Sequence, residues 1–112
     1  MKITKITDEK IIFDNGCFLT YDHYQDCCEH NYADFSQLQD TGIEDEEFEF
    51  NEKMFEFIDE EGFRLVAKSG NKYFIPCYSF QNGYYSSSLD IIFDNGIGQY
   101  KVNIYCQLED RW

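Results

Sequence analysis

The densest group of potentially reactive side chains is the stretch His23-Tyr24-Gln25-Asp26-Cys27-Cys28-Glu29-His30. In a helix, His23 and Cys27 lie four residues apart and Cys27 and His30 three apart, so each pair shares a face. Imidazole and thiolate suit zinc, which takes four ligands at tetrahedral corners. Cys77, beside the single proline, is the best-placed ligand from another segment. We therefore predict a structural zinc site formed by His23, Cys27, Cys28 and Cys77.

Two other interpretations of the same cysteines stay open. Cys28 continues a helical spacing of apolar residues, so it can be a small buried core residue instead of a ligand. Cys27 lies near two histidines and can be an activated thiolate in a small metal- or thiol-dependent enzyme. No oxyanion-hole or glycine-rich signature accompanies it, and the adjacent carboxylates disfavour a thiolate. The sequence therefore predicts no catalytic residue and a protein that is not an enzyme.

A second distinctive stretch is Glu44–Glu61, called here the acidic segment. Its only basic residue is Lys53. The ten carboxylates are Glu44, Asp45, Glu46, Glu47, Glu49, Glu52, Glu56, Asp59, Glu60 and Glu61. Four phenylalanines alternate with them, and alternate residues of a strand point to opposite sides. We expect the aromatic rings to anchor the segment and the carboxylates to form an ordered row facing outward.

Such a row of carboxylates can imitate the charge spacing of a nucleic-acid backbone. Complementary charge also speeds encounter with a basic groove by roughly 10–1000-fold at low salt. We therefore predict that the ten carboxylates bind a basic, nucleic-acid-handling protein. The alternative is a solvated sheet face whose charge only keeps an edge from aggregating.

The charge of the whole chain excludes several classes of partner. Twenty-two acidic residues oppose nine basic ones, giving a formal net charge of −13. Phosphates and anionic lipid surfaces repel such a chain, so we expect neither direct nucleic-acid binding nor membrane binding. Met1–Lys10 has no apolar signal-peptide core, and the five cysteines are then interpreted as thiols or metal ligands. The predicted location is the cytoplasm of a bacterial host cell.

Turn residues predict the elements that must position these groups. The hexapeptide Ile-Ile-Phe-Asp-Asn-Gly occurs at Ile11–Gly16 and again at Ile91–Gly96. Its Asn-Gly pair is typical of a tight type I′ hairpin turn, so we predict a hairpin at each copy. Met54–Ala67 predicts a third hairpin around Asp59–Gly62. Lys72–Phe80 reads as a strand in which proline favours an edge position or a bulge.

One stretch departs from the strand pattern. Tyr24–Leu38 contains no glycine or proline, and Cys28, Tyr32, Phe35 and Leu38 recur at helical spacing. We predict a short helix there that ends before Thr41-Gly42. The expected fold is a single α+β domain over residues 1–112, a twisted antiparallel sheet of β-hairpins with one short helix packed on it.

Several of these motifs resemble a family of small phage and bacterial proteins. The resemblance is carried by His23-x-Gln25-Asp26-Cys27-Cys28-Glu29, Tyr32-Ala33-Asp34-Phe35, Pro76-Cys77-Tyr78 and Asn82-Gly83-Tyr84-Tyr85-Ser86. It covers the chain from about Ile11 to about Ser87. That family is a domain of unknown function found in prophage genes, so the resemblance implies a phage origin and no particular activity.

The chain is also similar, in size and charge only, to the anti-CRISPR proteins of phages. This resemblance implies an inhibitor that docks on a basic surface of a Cas nuclease such as Cas9 and blocks loading of nucleic acid. It implies no particular residues, and the carboxylates of the acidic segment are the candidates for that contact. A phage accessory protein without inhibitory activity and a small metal- or thiol-dependent enzyme are the alternatives.

Overall fold

The computed structural model describes residues 1–22, 30–81 and 88–110 of the chain. These ranges form strands in two sheets, joined by turns and by three short 3-10 helices. The strands are β1 (Ile3–Ile6), β2 (Lys10–Phe13), β3 (Phe18–Asp22), β4 (His30–Ala33), β5 (Phe55–Ile58), β6 (Gly62–Val66), β7 (Lys72–Gln81), β8 (Ser88–Asp94), β9 (Gln99–Tyr105) and β10 (Gln107–Asp110). The 3-10 helices span Phe35–Leu38, Ile43–Asp45 and Glu52–Met54.

The first sheet is antiparallel throughout, with the strand order β1-β2-β3-β8-β9. The second sheet is built on β7, the longest strand. The first half of β7 pairs with β6, which in turn pairs with β5. The second half pairs with β4 antiparallel and with β10 parallel. The last described strand, β10, therefore joins the second sheet by pairing with its longest strand.

The predicted α+β class is wrong, because the described residues form two sheets and no α-helix. Within the predicted helix Tyr24–Leu38, His30–Ala33 is strand β4 and Phe35–Leu38 is a single 3-10 turn. The Asp34 carboxylate accepts the Ser36 N–H at 3.1 Å and so caps that turn. Residues 24–29 of the prediction lie outside the described residues. No described helix is long and apolar enough to cross a lipid bilayer.

The two sheets face each other across one aromatic core. The Phe55 ring of β5 lies 6.0 Å from that of Phe93 in β8 and 5.7 Å from that of Tyr100 in β9. Phe13 in β2 is 5.9 Å from Phe93. In both copies of the repeated hexapeptide the first isoleucine and the phenylalanine are buried, which alternation along a strand requires. The core therefore contains the same inward pair twice.

The repeated hexapeptide forms hairpins at both copies, as predicted, but with two different turns. After Ile11–Phe13 the loop has three residues, and Phe13 N–H donates to Cys17 O at 2.9 Å. Only Gly16 has a positive φ, of 86°, so this is a type I turn with a glycine bulge and not type I′. After Ile91–Asp94 the loop is Asn95–Gly98, closed by Asn95 N–H on Gly98 O at 3.2 Å. The residues that follow each copy determine its turn.

Pro76 lies where β7 changes partner strands. Residue 76 pairs with Gly62 at the start of β6, and Cys77 pairs with Ala33 at the end of β4. The Pro76 carbonyl accepts Asp34 N–H at 2.8 Å. At Pro76 only β6 pairs with β7, because the described ladders with β4 and β10 begin at Cys77 and Tyr78, which agrees with the predicted edge position. A residue without an N–H is tolerated at this change of partner because β4 has ended there.

Candidate functional site

The acidic segment is fixed to the rest of the protein through its backbone. Phe48 N–H donates to Met1 O at 2.8 Å, and the terminal ammonium of Met1 donates to Phe48 O at 2.9 Å. On the other side, Lys68 N–H donates to Glu47 O at 2.8 Å. Glu47 and Phe48 thus connect the start of β1 to the end of β6. The segment is held at this point without belonging to a strand itself.

The phenylalanines anchor the acidic segment, as predicted. Phe48 is 1% exposed and Phe55 is 6% exposed. Phe50 is partly exposed, but its ring stacks on Phe93 with centroids 4.4 Å apart and planes 6° from parallel. Stacked and edge-to-face aromatic pairs each contribute about 0.5–1.5 kcal/mol beyond the burial of area. Glu49 lies between two rings that point into the core, so its carboxylate is exposed.

Glu46 has a structural role within the segment. Its carboxylate accepts the Tyr73 hydroxyl at 2.8 Å, the Asn71 side-chain amide at 2.8 Å and the Ser69 hydroxyl at 3.1 Å. These hydrogen bonds, that of Tyr73 foremost, lower the pKa of Glu46, and the same contact raises the pKa of Tyr73. Glu46 therefore ties the segment to the β6–β7 turn.

Glu56 is neutralised by two cations on the outer face of the second sheet. Lys72 Nζ lies 2.9 Å from one carboxylate oxygen, and the Arg64 guanidinium contacts the other. Hydrogen bonds from Lys72 and then from Arg64 lower the pKa of Glu56. Such partly exposed pairs contribute modestly to stability. Their consequence for binding is larger, because Glu56 does not present a free negative charge.

The remaining carboxylates form two groups instead of one row. The first carboxylate group comprises Glu44, Asp45, Glu49 and Glu52, and the second comprises Asp59, Glu60 and Glu61 in the β5–β6 turn. All seven are exposed, and none has a side-chain partner among the described residues. Glu47 is 3.9 Å from the ammonium of Lys68, also in the open. Strand β5, about 13 Å long at ~3.3 Å per residue, separates the two groups.

The predicted zinc ligands fall in different parts of the chain. His23, Cys27 and Cys28 lie outside the described residues. Cys77 is fully buried in β7, paired with Ala33, and burial raises the pKa of its thiol, with a smaller contribution from Cys106. No group of three or more possible ligands occurs in the described ranges.

The structure brings Cys106 beside Cys77, which the sequence did not indicate. Gln107 pairs with Tyr78 in the parallel β10–β7 ladder, so Cys106 and Cys77 occupy the next level of the same register. Cys106 is 3% exposed, and burial raises its pKa to about 12. No short motif connects these cysteines, because parallel pairing of the chain's end with β7 has no local sequence signal. Two thiols, those of Cys77 and Cys106, therefore lie side by side at this position.

A second acidic surface lies beside β3 and β4. Asp8, Glu9, Tyr21, Tyr32 and Asp34 line a cavity of about 390 Å³ between β3 and β4. Burial raises the pKa of Tyr21, and the carboxylates of Glu9 and Asp8 raise it further. The Asp34 carboxylate is occupied by the residues that follow it. Asp8 and Glu9 lie outside the acidic segment, so changing them is a control for changes made within it.

Comparison of the chain with protein-family models, with curated proteins and with solved structures produced no match.

Proposed function

We propose that this chain is a non-enzymatic binding protein whose acidic segment docks on a basic surface of a nucleic-acid-handling protein. Docking there would exclude nucleic acid from that surface. The observation that carries the proposal is the rigid attachment of the segment. Buried Phe48 and Phe55 and the main-chain hydrogen bonds to Met1 and Lys68 hold its exposed carboxylates in place. A carboxylate already held in place loses little side-chain and loop entropy on binding.

We propose contact through a subset of the ten carboxylates. The carboxylates of Glu46 and Glu56 are already bound to other side chains of this protein. Removing either carboxylate would therefore disturb the fold as well as binding. The first and second carboxylate groups are exposed, and each presents several charges within one short stretch. A basic channel that normally contacts successive phosphates has the complementary charge. We therefore assign the contact to these two groups.

The particular partner proposed is a Cas nuclease, with Cas9 as the first to test. This part of the proposal comes from the resemblance in size and charge to anti-CRISPR proteins. Such a nuclease holds its guide and target in positively charged channels. The chain would then act as a phage-derived inhibitor that blocks loading of nucleic acid into those channels.

A matched pair of charge reversals tests the surface. Glu49→Lys with Glu52→Lys changes the first carboxylate group, and Asp8→Lys with Glu9→Lys makes the same change in net charge elsewhere. Binding to purified Cas9, and inhibition of guide loading, are measured over a range of salt concentrations. We expect the first variant to bind about tenfold or more weakly, with a shallower salt dependence, and the second to bind nearly as the wild type does. Equal effects of both variants would contradict the proposed surface.

The zinc site at His23, Cys27, Cys28 and Cys77 stays a prediction. Native and denaturing mass spectrometry of protein purified without chelator test it directly, because a bound ion appears only in the native mass. For a small domain such an ion would add stability by coupling binding to folding. Cys27→Ser separates this role from the enzymatic alternative, since losing a structural ligand unfolds the domain and losing a nucleophile leaves it folded.

A further inference from the structure

Strand β9 forms an open edge of the first sheet. It is the last strand in the order β1-β2-β3-β8-β9, and no described strand pairs with its far side. It has seven residues, with no proline and no carboxylate, and Lys101 is its only charged residue. The opposite edge is protected differently, because β1 has four residues and its register shifts between Ile3 and Lys5. Long, regular edges are the ones that accept a further strand.

The turn before β9 determines which of its backbone groups point outward. Asn95 N–H donates to Gly98 O, so residues 95 and 98 form a hydrogen-bonded pair. Hydrogen-bonded and non-hydrogen-bonded pairs alternate along an antiparallel ladder. The main chain at 100, 102 and 104 therefore bonds to β8. The N–H and C=O groups of 99, 101, 103 and 105 point to the open side.

Exposed apolar side chains lie at both ends of this edge. Ile97, at the tip of the β8–β9 turn, is 97% exposed, and Tyr105, the last residue of β9, is 54% exposed. They are the two most exposed large hydrophobic side chains in the described part of the chain. They lie at either end of the row of open backbone groups, where a strand that paired with this edge would cover them.

We propose that the open edge of β9 pairs antiparallel with β9 of a second copy of this chain, about a two-fold axis at Val102. In this register residue 101 lies opposite 103 and residue 99 opposite 105 of the other copy. Each of these residues has its N–H and C=O directed outward, so all four take part in hydrogen-bonded pairs. Residue 97 of one copy then reaches the end of β9 in the other, which brings Ile97 close to Tyr105. The two sheets join into one.

Charge favours a second copy as the occupant of this edge. The chain has a net charge of −13, but β9 contains no carboxylate and carries only Lys101, so pairing two copies of this strand places no two carboxylates directly opposite each other. The two-fold axis at Val102 places each Lys101 opposite Asn103 and not opposite the other lysine, which avoids a like-charge pair. A strand pair buries little area, so the dimer is weak. Salt strengthens it by screening the remaining repulsion.

Sedimentation and amide hydrogen exchange test this proposal together. Sedimentation from about 10 μM to about 1 mM protein covers the range of weak association, and the dimer fraction is expected to rise with protein and with salt. In exchange experiments, the amides of 99, 101, 103 and 105 gain protection of about tenfold as the protein concentration rises. Those of 100, 102 and 104 stay protected throughout, because they bond to β8. A monomer at all concentrations, or protection without this alternation, would overturn the proposal.

A pair of variants at one position separates pairing from folding. Lys101→Pro removes an outward N–H that β8 does not use, so the domain stays folded while the dimer is lost. Lys101→Ala keeps the N–H and keeps the dimer. Circular dichroism reports the fold of both. If Lys101→Pro unfolds, the exchange pattern of the wild type still decides. A dimer that persists in folded Lys101→Pro refutes the β9 interface, and neither result bears on the acidic segment.

Discussion

Phe48 and Met1 exchange two main-chain hydrogen bonds, and the Phe48 side chain fills the core beside Phe13 at a centroid distance of 6.0 Å. The acidic segment is therefore held in position by backbone hydrogen bonds to Met1 and by the buried ring of Phe48. Phe48→Ala leaves the backbone bonds possible but removes the ring. We expect a loss of about 3–5 kcal/mol in the free energy of unfolding, measured by urea denaturation, because a large cavity remains.

Phe74→Ala is the control for this substitution. Phe74 lies on the outer face of β7 and is 38% exposed, so its loss costs less than about 1 kcal/mol. A Phe48→Ala protein that stays folded should also exchange the amides around Glu47 and Glu49 faster. If the two variants were equally stable, the ring of Phe48 would not be what anchors the segment.

The two occupied glutamates make stability depend on pH in the acid range. The fold lowers the pKa of Glu46 and of Glu56 below the ordinary value of 4.5. Protons therefore bind the unfolded chain more readily, and stability from these contacts is present above pH 4.5 and is lost as pH falls through the lowered values. Thermal unfolding followed from pH 7 to pH 3 should show Glu46→Gln losing less stability on acidification than the wild type does.

Glu52→Gln provides the comparison for this pH dependence. Glu52 has no side-chain partner among the described residues, so its replacement should leave the slope of stability against pH close to that of the wild type. A Glu46→Gln protein with an unchanged slope would show that its contacts with Tyr73 and Asn71 do not persist in solution.

Burial of Cys106 predicts a protected thiol. With a pKa of about 12, Cys106 is a thiolate in about one molecule in 10⁴ at pH 8, against roughly one in ten for an ordinary thiol. Alkylation of the native protein at pH 8 should therefore be about 1000-fold slower at Cys106 than in the unfolded chain. Peptide mapping after timed labelling measures this rate. Fast labelling would show that β10 separates readily from β7.

The same labelling experiment examines Cys77 and the predicted zinc. Cys77 is buried beside Cys106, so it should also label slowly in the native protein. A chelator removes any ion that Cys77 holds and would then speed labelling at this residue. If chelator leaves the rate at Cys77 unchanged in protein shown to contain zinc, the ion is held by other residues.

Local sequence signals were sufficient for the hairpins and insufficient for the second sheet. Glycine, asparagine and aspartate between apolar runs predicted the turns at Asp59–Gly62 and after each hexapeptide, because turn chemistry is local. The pairing of β10 with β7 joins residues some thirty positions apart in a parallel ladder. No local pattern specifies such a partner, so the position of Cys106 beside Cys77 could not be predicted.

The prediction of a helix was wrong because one of the inward-facing residues of the strand is polar. Asn31, Ala33 and Phe35 are all buried, which is the period of a strand. A pattern of apolar residues leaves out Asn31, because its side chain is polar. The remaining residues Tyr32, Phe35 and Leu38 then fit the spacing of a helix better than that of a strand. In the fold, the Asn31 side-chain amide donates to Ser88 O at 3.1 Å, so it belongs in the core. Hydrophobic periodicity alone misses a strand whose inward side chain is an amide.

Gly62 tests the change of partner strands at Pro76. A Cβ at Gly62 would lie 2.2 Å from the Ile75 carbonyl oxygen and 2.9 Å from Pro76 Cα, at a φ of +152°. These are backbone atoms of β7, so they cannot move aside without breaking the β6–β7 ladder. We expect Gly62→Ala to lose more than about 3 kcal/mol of unfolding free energy by urea denaturation.

Gly70→Ala separates this close contact from backbone strain alone. Gly70 also has a positive φ, of +93°, but nothing lies within 4 Å of a Cβ placed there. Its replacement should cost about 1–2 kcal/mol, the strain of a left-handed residue without a clash. The difference between the two variants measures how tightly β6 and β7 approach. Similar losses would mean that β7 yields at Pro76, and Cys77 would then be less firmly placed than its burial indicates.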